Sequence, residues 1–106
     1  MKAAADELPP EEPRWVSHAF GFPFNHEGAR AAAAELRRRF DDVRVEEEWP
    51  GGGCWYVVVR RRQTLLERVV VNAKREMGAV AARHGGNYEG WAAARYGGAW
   101  RRRFKT

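Results

Sequence analysis

Apolar residues recur along this chain with two different periods. From Leu66 to Ala81 they fall three and four apart (Leu66, Val69, Val70, Ala73, Met77, Val80, Ala81), while Glu67, Arg68, Lys74, Arg75 and Arg83 fall largely outside that stripe. This is the signature of one amphipathic helix. Thr64 and Glu67 make a Thr-x-x-Glu capping box that predicts its start. Gly85, directly after His84, predicts a left-handed stop. An earlier and thinner helical stripe (Ala29, Ala32, Ala33, Leu36, Phe40) follows Asn25, a favourable N-cap, with Glu27 near the positive end of the dipole. Its alanines let the helix lie close to a sheet.

The period-two segments lie around these helices. Arg14–Gly21 reads as a first strand, with Pro23 keeping Phe22 extended as the chain approaches a turn. Val43–Trp49 alternates and then turns acidic, Pro50–Gly53 is a hairpin turn, and Cys54–Arg60 is apolar on both faces, as a central strand would be. Trp55, Val57 and Val59 share one face of that strand and Cys54, Tyr56 and Val58 the other; the pattern does not choose which is inward. Tyr88–Arg95 forms the last strand. The order strand, helix, strand, strand, helix, strand predicts an α+β, ferredoxin-like split βαβ fold, βαββαβ. It has a four-stranded antiparallel sheet with two helices on one face.

Composition narrows the setting. A length of 106 residues accommodates one domain, expected over residues 14–95, between a proline- and acid-rich disordered leader at 1–13 and a basic aromatic tail at 96–106. The single Cys54 excludes an intrachain disulfide and fits a reducing cytoplasm. The longest apolar run, Cys54–Val59, is far short of a membrane span, and Met1–Pro13 lacks the apolar core of a signal peptide. Charge is unevenly placed: residues 95–106 hold five of the 19 basic residues and no acid, while the remainder carries 14 of each sign. The basicity therefore belongs to the tail.

Asn87-Tyr88-Glu89-Gly90-Trp91 resembles the Tyr-Asp-Gly-Trp signature that opens the last strand in the regulator of ribonuclease E activity B family. His18-Ala19-Phe20 closing the first strand, the acidic, alanine-rich first helix and the long second helix entering a glycine turn extend the similarity over residues 14–95. The resemblance implies a non-enzymatic protein that binds ribonuclease E or a related nuclease assembly and damps RNA cleavage; composition places it in the cytoplasm, and no cofactor is expected. Tyr88 and Trp91 are its candidate partner-binding residues; their alternative role is to cap the core around a glycine that allows close backbone approach.

Other chemistry is sparse. His18, His26, His84 and Cys54 are scattered, with no metal-ligand spacing, and no nucleophile, paired carboxylates or phosphate loop is present, so no catalytic or metal residues are expected. Trp15 and Trp55 or Tyr56 lie on strands that stack bases in RNA-recognition motifs, but CWYVVVR lacks that motif's basic-aromatic pattern. Two other readings stand beside the regulator. Trp100, Arg101, Arg102, Arg103, Phe104 and Lys105 join cations to aromatics, as a single-stranded RNA contact would, or form a solvated terminus. Alternatively, a second copy of the chain covers the open sheet face in a homodimer.

Overall fold

The computed structural model describes residues 9–94. Its elements are β1 (Arg14–Pro23), α1 (His26–Leu36), β2 (Asp42–Glu47), β3 (Cys54–Gln63), α2 (Glu67–Arg83) and β4 (Asn87–Ala94). The strands form one antiparallel sheet in the order β2-β3-β1-β4. This is the expected α+β arrangement, with β1 and β3 central.

The sheet register settles the inward face of β3. Phe20 stands opposite Val57, Phe22 opposite Trp55 and His18 opposite Val59. Phe20, Phe22, Val57 and Val59 join Leu36, Met77, Val80 and the α1 alanines Ala29, Ala32 and Ala33 in one buried cluster, with Trp55 and Phe40 against it. The Trp55 set therefore faces the helices. Truncating Leu36 or Met77 to alanine would cost about 2–5 kcal/mol, because a close-packed core cannot refill the void. The other β3 set looks away from the helices, yet Val58 is only 1% exposed.

Both helix starts test capping physics. Asn25 caps α1 as expected: its side chain accepts from Gly28 N–H at 2.9 Å, and its amide donates to the His84 carbonyl at 3.2 Å. One residue thus ties the start of α1 to the end of α2. The Thr64–Glu67 capping box does not form. α2 begins at Glu67 with Leu66 at the cap position and no side-chain cap bond. The reason lies in the neighbouring strand. β3 stays paired to β1 as far as Gln63, opposite Arg14, and Leu65 N–H donates to the Pro10 carbonyl at 2.8 Å. These bonds hold Thr64 and Leu65 in extended chain, and the Leu66 carbonyl takes the first helical donors, from Val69 and Val70.

The stop of α2 matches its prediction. Gly85 has φ +80°, and Gly86 and Gly85 N–H groups return to the Ala81 and Ala82 carbonyls at 2.8 and 3.2 Å, a Schellman closure. Glu35 of α1 reaches across to Arg83 and, at 2.8 Å, to His84. The Arg83 guanidinium first, and His84 next, hold the Glu35 carboxyl below the usual carboxylate range. Strand ends differ modestly from expectation: β1 runs to Pro23 and β3 to Gln63, each past the predicted limit.

Candidate partner-binding surface

Tyr88 is half-buried at the start of β4, its ring edge-on to Phe20 at 5.7 Å. Its hydroxyl lies 2.8 Å from His18 Nδ1, and His18 Nε2 lies 2.7 Å from Gln63 Oε1. Gln63 Nε2 donates onward to the Thr64 carbonyl at 3.2 Å. One proton arrangement satisfies all three contacts: His18 carries its proton on Nε2 and donates to Gln63, and Tyr88 donates to Nδ1. Burial, reinforced by the charge of Arg61 and opposed by the Gln63 bond, depresses the His18 pKa to about 4. Burial also pushes the Tyr88 phenol upward. Both groups are neutral near pH 7, and the chain of bonds threads β4, β1, β3 and the lead into α2.

The glycine of the signature has a backbone reason. Pairing between β1 and β4 shifts register between Ala19 and Phe20: Ala19 faces Gly90 and Phe20 faces Tyr88, leaving Glu89 as an extra residue. Gly90 takes φ +132°, a conformation that a side chain resists. Residues three apart on a regular strand point to opposite faces. The bulge cancels that, setting Tyr88 against Phe20 and Trp91 against His18 on the same side of β1. Trp91 is half-buried there. Tyr88 thus has a definite packing role, with its polar end consumed in the interior.

The aromatic surface lies elsewhere. Phe24 is 83% exposed and Trp49 56% exposed, the most exposed large apolar side chains among the described residues. Phe24 sits between β1 and α1 with φ +53°, a left-handed conformation that costs an L-residue about 1–2 kcal/mol. Its N–H is held by the Gly53 carbonyl at 2.7 Å. A Cβ on Gly53 would come within 2.8 Å of the Phe24 ring, so the glycine lets that ring approach the hairpin backbone closely. Beside this pair, His26 stacks on Trp55 with ring centroids 3.7 Å apart. An open groove of about 850 Å³ continues along α1 past Arg30 and Arg37 to Val45. The arrangement suits apolar contact rimmed by cations, with one strained residue holding an aromatic ring in solvent.

Phe24 and Trp49 were missed by sequence reasoning. Periodicity assigns faces within helices and strands and is silent for turn residues; the available signal was an aromatic beside each Pro-containing turn, Pro23-Phe24 and Trp49-Pro50. The three histidines are not brought together: His18 is in the buried relay, His26 on Trp55 and His84 on Glu35. Among the described residues, no three His, Cys, Asp or Glu side chains converge where a metal could be held. No described helix is long and apolar enough to cross a membrane. The candidate RNA contacts Trp100, Arg101, Arg102, Arg103, Phe104 and Lys105 lie outside the described residues.

Four antiparallel strands beneath two helices, with a polar relay running from Tyr88 to Gln63 and aromatic rings displayed at the turns, define a ferredoxin-like α+β domain. The chain belongs to the regulator of ribonuclease activity B family, whose model matches residues 1–92. No curated protein and no solved structure matches the chain.

Proposed function

We propose that this protein is a non-enzymatic cytoplasmic regulator of RNA turnover that binds ribonuclease E, or a related nuclease assembly, and inhibits RNA cleavage. The observation that carries this reading is family membership across residues 1–92, nearly the whole chain. The surface supplies a means. Phe24 and Trp49 are exposed aromatics at the turns, and the His26–Trp55 stack lines a groove with Arg30 and Arg37. Rigid aromatic anchors with an arginine rim are the residue types that dominate protein–protein affinity. The regulator acts by occupying the nuclease, with no bond made or broken on its own side chains.

The test is direct binding of the full chain to purified ribonuclease E after nuclease treatment to remove RNA. Saturable binding that survives the treatment supports a protein partner. Binding that disappears with the RNA, or no binding to ribonuclease E or its assembly, rejects the reading.

A further inference from the structure

The zero net charge of residues 1–94 conceals a separation that only the fold reveals. Arg37-Arg38-Arg39 follows α1, and Arg60-Arg61-Arg62 lies near the end of β3. These triplets are more than 20 residues apart in sequence. The fold brings them together because α1 runs antiparallel to β1 and β3 is paired antiparallel to it, so both triplets arrive at the end where β1 starts. Two aromatic rings organise them. Arg60 and Arg62 lie over Trp15 at 4.9 and 5.9 Å, and Arg39 and Arg61 lie over Phe40, each at 5.3 Å. A pocket of about 230 Å³ opens among these side chains, with Asp41 and Asp42 on its wall.

From this geometry we infer that the arginine end is a binding site for single-stranded RNA, with guanidiniums on phosphates and Trp15 as a platform for a base. Four guanidiniums line the pocket with Asp41 and Asp42; Arg60 and Arg44 engage Asp42 at 3.2 and 3.9 Å, and Arg39 engages a third carboxylate, Glu76, at 3.3 Å, so cations still outnumber acids. The site therefore favours anions. An acidic polypeptide would satisfy the charge alone. RNA also uses the second feature: Trp15 keeps 38% of its surface in solvent, with Arg60 and Arg62 over its ring, so a base would share the indole with two guanidiniums. Aromatic faces interleaved with arginine form a sequence-tolerant stacking surface for single strands. Trp15 stands on the sheet face away from the helices, whereas Trp55 packs toward them, so the platform comes from β1 alone. The site is about 30 Å along β1 from Phe24, so RNA here would leave the aromatic end uncovered.

The inference is tested with the full chain and a short fluorescein-labelled oligoadenylate, in the absence of any nuclease. Contacts from four arginines predict a slope of log affinity against log salt of about −3. Replacing Arg39 and Arg62 together by glutamine, at two exposed positions, should shrink that slope by about 1.4. Trp15→Leu should weaken binding about tenfold while leaving the slope in place, since stacking is lost and no phosphate contact is removed. No saturable binding at low salt overturns the proposal. So does a slope unchanged by the Arg39 and Arg62 substitutions but lost when Arg101, Arg102 and Arg103 become glutamine, which assigns binding to the tail. Equal competition by polyglutamate together with indifference to Trp15→Leu also overturns it, in favour of an acidic polypeptide. None of these outcomes depends on whether the chain binds ribonuclease E.

Discussion

His18 shows how a residue type associated with chemistry becomes structural through its surroundings. It is 1% exposed and bonded at both ring nitrogens, so protonation would place an unsolvated charge beside Arg61 and remove the acceptor that Tyr88 needs. Its folded pKa of about 4 lies below the ordinary 6.5, so between those values the unfolded chain binds more protons than the folded one. Stability is therefore fully present above pH 6.5 and falls as the pH drops towards 4. From pH 7 to pH 5, this residue alone should remove about 2 kcal/mol, measured by urea denaturation at the two values. His18→Gln, which has nothing to titrate, should flatten the dependence. A second residue-scale expectation concerns Tyr88→Phe, which leaves His18 Nδ1 buried and unpaired and should cost about 1–3 kcal/mol in the same measurement. An unchanged midpoint would show that the hydroxyl bond is dispensable.

At the scale of elements, much of the fold was legible because its signals are local. The stripe through Ala73, Met77, Val80 and Ala81 is buried, Asn25 caps α1, Gly85 ends α2, and β3 is central, as periodicity and turn chemistry require. Three features were not legible, for a common reason: each depends on pairing between distant segments. The Thr64 capping box lost to β3 pairing and the Pro10 contact. The inward face of β3 was decided by its register with β1. The extra residue at Glu89 exists only in relation to Ala19 and Phe20. The cap assignment gives a clean contrast. Asn25→Ala should cost about 1 kcal/mol and Thr64→Ala less than about 0.5 kcal/mol in thermal or chemical unfolding. Equal losses would restore the capping box.

The molecule has two chemically different ends. Antiparallel β1 and β3 carry Phe24, Trp49 and the glycine turn at one, and Trp15 with two arginine triplets at the other. Little of this polarity was readable in advance. Charge counted along the chain averages to zero over residues 1–94, and exposed turn aromatics leave no periodic trace. Tyr88 and Trp91 were the legible markers of the family, and the structure gives Tyr88 a packing role at the β4 bulge. The aromatic end is the proposed nuclease contact, and it can be altered without disturbing the core. Phe24→Gly removes a ring held in left-handed backbone, and Trp49→Ala removes an exposed one, so the double variant should remain within about 1 kcal/mol of the parent in stability.

Titrating the chain into ribonuclease E cleavage of a defined RNA substrate would show whether it restrains the nuclease by protein contact. The parent chain should lower the cleavage rate to a plateau as it saturates the enzyme. The folded Phe24→Gly, Trp49→Ala double variant should need about thirtyfold more protein for the same effect, as expected when interface anchors are lost. Undiminished cleavage at saturating parent protein would contradict the account, and equal inhibition by the double variant would remove the aromatic end from it.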